Sequence, residues 1–251
     1  MSTWLIWSIV VAGAMLLLGF VVTLGARTRF LRAREKYSHI EVQSGATGKD
    51  IAFAALEVYS LDEVSIASTP NKESNAYSIK DNTLILSEDV LESSSIYALA
   101  VVSHEVGHAR EHKKGSFALA LWYALVHFER FTCFLILPLF AVGLVLSLIH
   151  ATTLLGTVML NVSTLFTFIA IFNRILNLPN EMRATDNGIE MLTQSEAMTK
   201  SEIKGAKKVL AAALGTYFLG FYERLFLNFY LIKRAGKFAI TKIKGRKGEG
   251  R

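Results

Sequence analysis

The hydrophobic residues of this chain are concentrated in long segments rather than spread evenly along it. The first segment, residues 4–25, contains no charged side chain. It is long enough for a helix to cross a hydrocarbon core, which takes about 20 residues. No basic residue precedes it, and it exceeds the apolar core of an ordinary signal peptide, which has about 7–15 residues. We therefore expect residues 1–26 to form a retained transmembrane anchor.

A second uncharged segment covers residues 131–173, with His150 as its one basic side chain. It is too long for a single span and suits two helices joined by the polar residues 147–153. Both spans must be helical, because backbone polar groups in lipid have no water to bond. The sequence thus predicts a transmembrane hairpin over residues 129–178, in which Pro138 would bend the first helix slightly.

A third apolar segment, residues 209–232, is interrupted by Glu223 and Arg224. Charges at the centre of a span cost roughly 2.5–3.5 kcal/mol each on insertion scales. We expect a hydrophobic helix over residues 205–232 that is re-entrant, interfacial or transmembrane. The basic tail that follows, residues 233–251, suits anionic lipid headgroups, although a solvated end explains it equally well.

The segments between the apolar stretches have shorter patterns. Thr47, followed three residues later by Asp50, predicts the start of a helix with reciprocal caps. Residues 75–79 and 83–86 flank a turn-forming triplet and predict a β-hairpin. A mostly apolar helix follows, starting at Ser94 or Ser95. The predicted fold class is a mostly α membrane protein (α+β) with multi-pass helices and a small β-hairpin.

The composition is typical of a membrane protein, and the cysteine content limits the kinds of metal site and cross-link that the chain can form. Hydrophobic residues make up 52% of the chain and the mean hydropathy is +0.37, whereas soluble domains contain about 45–50% apolar residues. The single cysteine, Cys133, lies in a predicted span, so neither a disulfide framework nor a thiolate metal site is available. The net charge of +6 requires no nucleic-acid partner, and the lipid bilayer is the expected one.

Charges next to the first span indicate its orientation. Five basic residues follow it closely: Arg27, Arg29, Arg32, Arg34 and Lys36. Because basic residues favour the cytoplasmic side, we expect a cytoplasmic core over residues 27–128. A hairpin that leaves the cytoplasm and returns would place residues 179–204 on the same side.

The helix after the β-hairpin contains Ser-His-Glu-Val-Gly-His at residues 103–108. His104 and His108 lie one turn apart on one face, so both imidazoles can be directed at one ion. Glu105 lies one step around the helix, where its carboxylate can reach a water bound to that ion and act as the base. This is the H-E-x-x-H pattern of zinc peptidases, in which three protein ligands leave one open position. We expect one Zn²⁺ per chain, and a zincin-type active-site helix.

A third ligand is needed, and several acidic residues follow the predicted hairpin. Pro179 suits the first turn of a new helix, which would place Glu181 near the N-terminus of that helix. The hairpin would return this helix to the membrane face where the His pair lies, so Glu181 is able to complete the site. Asp186 and Glu190 are alternatives on residue type alone.

Four stretches of the chain carry a resemblance to a known family. They are KYSHIEVQSGATGKDIA (36–52), NTLILSEDVLESSSIYALAVVSHEVGHAREH (82–112), LPNEMRA (178–184) and SEIKGAKKVLAAALGTY (201–217). The chain resembles the YugP-type neutral zinc metallopeptidases of bacterial membranes and, more distantly, the HtpX and CAAX-prenyl-protease group. The resemblance implies a gluzincin-like site with Glu181 as the third zinc ligand. It also implies that residues 75–77 form an edge strand that pairs with an extended substrate.

The resemblance to the more distant group is incomplete at one position. Those enzymes carry an Asp four residues after the Glu ligand, where it orients a ligand His. This chain has Thr185 there, followed by Asp186, and a hydroxyl orients an imidazole more weakly than a carboxylate does. His112 continues the i, i+4 series, but its face has turned by about 80° from that of His104, so we expect a surface role or one next to the metal site rather than metal ligation.

The sequence predicts a membrane-integrated endopeptidase that cleaves a peptide or membrane-protein substrate at the cytoplasmic face of a bacterial cell membrane. Tyr217 and Arg183 are candidates for stabilising the oxyanion, although a tyrosine in this position more often packs and an arginine more often faces a phosphate or an acid. The alternative is a non-catalytic membrane adaptor with a structural zinc ion, which would need a fourth protein ligand and has no role for Glu105. A metal transporter would need ionisable residues in its spans, and we expect the spans, which the uncharged segment 131–173 supplies, to contain none except His150.

Overall fold

The computed structural model describes residues 3–71 and 74–218. In this part the elements are α1 (Thr3–Ser38), α2 (Gly48–Val58), β1 (Ser65–Thr69), β2 (Ala76–Ser78), β3 (Thr83–Ser87), α3 (Glu88–Glu92), α4 (Ile96–Lys113), α5 (Phe117–Ser147), α6 (Thr153–Gln194) and α7 (Lys200–Gly215). The predicted basic tail and residues 219–232 of the third apolar segment lie outside the described residues. The predicted fold class, a mostly α membrane protein with a small β-hairpin, is confirmed.

The described residues divide into two compact units. The first, named here the apolar unit, contains residues 3–23 and 125–173 together with Phe218. The second, named the core unit, contains Leu24–Ala124 and Arg174–Tyr217. Three helical segments in the described part are long and apolar enough to cross a membrane: Ile6–Ser38, Leu119–Ser147 and His150–Gln194.

Helices α5 and α6 approach each other closely within the apolar unit. A β-carbon at Gly156 would lie 2.3 Å from the backbone nitrogen of Ser147, and one at Gly143 would lie 3.0 Å from the carbonyl oxygen of Gly156. Small residues permit this approach where helices meet in lipid. A 3₁₀ turn at His150–Thr152 separates the two helices, within the predicted turn at residues 147–153, and Pro138 lies inside α5.

The apolar unit also contains a buried acidic residue. Helix α5 begins at Phe117, so the candidate span Leu119–Ser147 includes Glu129, which is 1% exposed. The Glu129 carboxylate accepts a hydrogen bond from the Asn173 amide. The expectation that the spans contain no ionisable residue except His150 is therefore wrong, because α5 extends beyond the uncharged segment toward the N-terminus.

In the core unit, α4 packs against α2, α3, α7 and two strands of the sheet. Its side chains Leu99, Val102 and Val106 have no exposed area. Strand β2 pairs with β3 in the predicted antiparallel hairpin, and β1 pairs with β3 in parallel, giving the order β1-β3-β2. Leu84 and Leu86 of β3 are fully buried, so the central strand anchors the sheet to the core.

Local signals located two helix starts correctly. Thr47 and Asp50 cap α2 reciprocally, with the Asp50 backbone donating to the Thr47 hydroxyl at 3.2 Å and the Thr47 backbone donating to the Asp50 carboxylate at 2.9 Å. Ser95 caps α4 by accepting a hydrogen bond from the Ala98 backbone. Helix α4 therefore begins where the sequence predicts.

The predicted start of a new helix at Pro179 is wrong, because α6 continues through this residue to Gln194. Proline lacks the backbone donor and weakens a helix locally. The second half of α6 is held by close packing, since the backbone of Ala184 lies against Gly107 of α4. Tertiary packing outweighs the local preference here.

The third apolar segment also begins differently from its prediction. A capping box of Thr199 and Glu202 starts α7 at Lys200, and α7 ends at Gly215. Val209 and Leu210, the first residues of the apolar segment, belong to the buried core of the core unit. The predicted hydrophobic helix over 205–232 therefore starts as part of a helix packed on α4, and only its first half lies in the described residues.

Candidate metal centre and active site

Helix α4 presents two imidazoles to the same point. His104 and His108 are separated by one helical turn, and their Nε2 atoms lie 3.2 Å apart. The two rings are nearly perpendicular, with an interplanar angle of 83°. The i, i+4 spacing in the sequence accounts for this arrangement, because it places the two side chains one above the other.

Glu181 of α6 reaches this pair. Its Oε2 atom lies 3.4 Å from Nε2 of His104 and 3.5 Å from Nε2 of His108. Among the described residues, these three side chains form the group able to hold a metal ion. Ligand atoms around a tetrahedral zinc ion, with bonds of about 2.0–2.1 Å, lie about 3.3–3.4 Å apart. The donor types and their spacing therefore fit three corners of a zinc site.

Two glycines permit α4 and α6 to approach closely enough for this geometry. A β-carbon at Gly107 would lie 2.2 Å from the carbonyl oxygen of Ala184, and one at Gly188 would lie 2.7 Å from that of Ser103. Neither helix could keep this position with alanine at those sites. Gly107 lies inside the H-E-x-x-H motif, so the motif supplies the close packing as well as two of the three candidate ligands.

Polar side chains on α6 orient two of the three residues, His104 and Glu181. The Thr185 hydroxyl lies 3.3 Å from Nδ1 of His104, which leaves Nε2 of that ring facing Glu181 and His108. The Asn177 amide donates to Oε1 of Glu181 at 3.2 Å, so the other oxygen faces the imidazoles. Asn177 lies one helical turn before Glu181, but nothing in the sequence marked it as functional.

Glu105 lies beside the three candidate metal ligands but is not one of them. Its Oε2 atom accepts a hydrogen bond of 2.9 Å from the backbone N–H of Tyr77 in β2. Burial, together with the negative charge of Glu181, raises the pKa of Glu105 to about 7, against the opposing effects of His104 and of the Tyr77 donor. A carboxyl with its pKa in this range can both take up and release a proton near neutral pH.

The alternative acidic ligands lie elsewhere. Asp186 is exposed and lines a cavity of about 370 Å³ with Lys207. Glu190 forms an ion pair with Arg110 at 2.6 Å. His112 lies outside the ligand group, with Nδ1 at 2.7 Å from the Tyr77 hydroxyl.

The two candidates for oxyanion stabilisation have contacts of their own. The Tyr217 hydroxyl accepts a hydrogen bond from the Asn177 amide, which also donates to Glu181. Arg183 is exposed and reaches the Ser116 hydroxyl at 3.4 Å. Tyr217 is thus the candidate linked to the ligand group, and the catalytic role of either residue stays a prediction.

Comparison with known proteins agrees with this geometry and with the resemblance noted in the sequence. Residues 12–235 match the family described as "Putative neutral zinc metallopeptidase". The chain is 30% identical over 205 residues to the "Putative membrane protease YugP" of Bacillus subtilis (strain 168), which covers 81% of this chain and 88% of the relative. No solved structure matches the chain. Since the match covers most of its length, the protein belongs to this family of neutral zinc metallopeptidases.

Proposed function

We propose that the protein is a membrane-integrated zinc endopeptidase in which His104, His108 and Glu181 hold one zinc ion and Glu105 is the general base. The spacing of 3.2, 3.4 and 3.5 Å among the three donor atoms carries the proposal. A zinc ion bound there would polarise the scissile carbonyl and lower the pKa of a water molecule.

Glu105 would take the proton from the attacking water and deliver it to the leaving amine. Its raised pKa, about 7, suits both halves of this transfer. The Tyr77 backbone donor fixes one carboxylate oxygen, so the side chain is oriented before substrate arrives.

Strand β2 is suited to bind the substrate. Within the described residues it pairs with β3 on one side only, and on the other side the Tyr77 backbone reaches Glu105. An extended peptide lying along this edge, where the Tyr77 N–H already donates to Glu105, would lie next to the general base. Main-chain hydrogen bonds to the other backbone groups of this edge would then hold the peptide bond to be cleaved near the three candidate zinc ligands, His104, His108 and Glu181.

The membrane location is supported by three candidate spans and by the relative whose name describes a membrane protease. We place the active site on the cytoplasmic side, because the basic residues of α1 follow its apolar stretch directly. Substrates at that position are peptides or membrane proteins whose cleavable segment is extended and accessible at the membrane surface.

The alternative of a non-catalytic adaptor has less support. A structural zinc site uses four protein ligands, and the described residues bring together three. His112 is engaged with Tyr77 rather than with the imidazole pair. An adaptor also gives no reason for a partly buried carboxyl at Glu105.

Glu105→Gln tests the proposal directly, with the full-length protein in detergent, casein as substrate, and zinc measured by elemental analysis. We expect cleavage to be lost while zinc stays near one ion per chain, because the amide keeps the shape of the side chain but cannot accept the proton. Asp186→Asn, an exposed substitution on α6, is the matched control and should retain activity. Surviving cleavage would show that the base is misassigned, and loss of zinc would place Glu105 among the ligands.

A further inference from the structure

His112 is a third histidine on α4 that the zinc site does not use. Its Nδ1 atom lies 2.7 Å from the hydroxyl of Tyr77, and the two ring centroids are 5.8 Å apart. His112 follows His108 by one turn, as His108 follows His104, but its imidazole meets the sheet instead of the ligand group.

The Tyr77 hydroxyl has a second partner. It donates to Oδ1 of Asn82 at 2.5 Å, and Asn82 has a left-handed φ of +48° in the turn between β2 and β3. Burial raises the pKa of Tyr77 to about 12, so the phenol keeps its single proton at neutral pH. Since that proton goes to Asn82, Nδ1 of His112 must carry a hydrogen and donate to the phenol oxygen.

The same tyrosine reaches the catalytic group through its backbone, because the Tyr77 N–H donates to Oε2 of Glu105 at 2.9 Å. We propose that His112 is a positioning residue for Glu105. It fixes the Tyr77 side chain together with Asn82, and Tyr77 in turn fixes the general base. This inference rests on the proposed function, since it concerns the orientation of the same carboxylate.

The strand needs such an anchor. Strand β2 has three residues and pairs with β3 on one side, so few backbone bonds hold it in place. Short edge strands open easily when side-chain contacts do not restrain them. A displaced Tyr77 would leave Glu105 free to rotate away from the position that proton transfer requires.

A cavity beside these residues makes the proposal testable by chemical rescue. Its volume is about 510 Å³, and Tyr77, Asn82 and His112 contribute to its lining. Free imidazole is small enough to enter a space of this size. If the side chain of His112 is removed, added imidazole can donate to the Tyr77 hydroxyl in its place.

His112→Ala should lower kcat about 10- to 100-fold, the range seen when a residue that orients a metal ligand is lost, with zinc content unchanged. Added imidazole should restore part of that loss. His112→Asn should retain most activity, because the asparagine amide nitrogen occupies nearly the position of Nδ1 and can donate. Asp62→Asn is the matched control, since Asp62 is an exposed member of the same cavity lining and should have no effect.

A double-mutant cycle separates positioning from general stability. Tyr77→Phe removes the phenol oxygen and keeps the backbone N–H, so it should cause a similar loss of kcat. His112→Ala added to Tyr77→Phe should then have little further effect, because the two residues act through one contact. Additive losses would overturn the proposal, as would a His112→Ala enzyme with unchanged kcat or one that neither imidazole nor asparagine restores. If Glu105→Gln retains activity the proposed function fails; if only the histidine results fail, the proposed function stands.

Discussion

Helix α6 takes part in two close helix contacts of the same kind. In the apolar unit a β-carbon at Gly156 would lie 2.3 Å from the Ser147 backbone of α5. In the core unit the β-carbon of an alanine at Gly107 of α4 would lie 2.2 Å from the Ala184 backbone of α6. Both contacts depend on a missing side chain, since glycine lets two helix backbones approach closely.

The two contacts differ in the residues beside the glycines. In the apolar unit the residues next to Gly143 are Met159 and Leu160. About two turns further along the helix pair, the Ser163 hydroxyl donates to the Ile136 carbonyl. In the core unit the neighbours are His104 and Glu181, whose donor atoms lie 3.4 Å apart. Close helix approach at glycine thus brings apolar residues together in one unit and the candidate metal ligands together in the other.

Glu181→Ala removes the candidate carboxylate ligand from the core-unit contact and leaves the glycines of that contact in place. We expect this variant to show the largest loss of zinc affinity. Zinc affinity should fall by more than about 100-fold, since residues that only orient ligands already cost 10- to 100-fold when lost. Asp186→Ala and Glu190→Ala should bind zinc normally, as measured by competition with a chelating dye. Equal losses in all three variants would remove Glu181 from the ligand set.

Gly107→Ala changes the packing of the same contact and leaves every ligand in place. The added methyl group must push α4 and α6 apart, at a cost of about 1–3 kcal/mol for overpacking. We expect zinc affinity to fall roughly in proportion, by about 5- to 150-fold. Gly25→Ala is the control, because a β-carbon there has nothing within 4 Å and should leave zinc binding unchanged. Normal zinc affinity in Gly107→Ala would show that the ligands do not need the close approach.

Thr185→Val tests a smaller contribution to the same site. Valine keeps the shape of threonine but removes the hydroxyl that lies 3.3 Å from Nδ1 of His104. Zinc affinity should fall about tenfold, at the weak end of such orienting contacts. Thr185→Ser keeps a hydroxyl and should stay within a few-fold of the parent. If Val and Ser behave alike, the hydroxyl does not orient His104.

Local patterns in the sequence predicted the parts of the fold that depend on neighbouring residues. The capping box of Thr47 and Asp50, the start of α4 at Ser95 and the β2–β3 hairpin are of this kind. The spacing of His104 and His108 is also local, which explains why the sequence alone placed the two imidazoles together.

Contacts between distant segments could not be predicted in this way. The parallel pairing of β1 with β3, the continuation of α6 through Pro179 and the contact of Asn177 with Glu181 all depend on tertiary packing. Residue spacing permitted Glu181, Asp186 or Glu190 as third ligand, and the family resemblance favoured Glu181. The close approach at Gly107 brings Glu181 to the imidazoles.

Gly156→Ala tests whether the apolar unit's contact is separate from the metal site, and we expect the smallest effect on zinc. The added methyl group should destabilise the α5–α6 pair by about 1–3 kcal/mol, seen as a lower melting temperature in detergent. Gly13→Ala, also in the apolar unit, meets nothing within 4 Å and should melt like the parent. Zinc content per folded chain should be normal in both, because the described part of that unit contains no candidate ligand and no residue that orients one. A loss of zinc affinity as large as that of Gly107→Ala would instead show that strain at one contact of α6 is transmitted to the other.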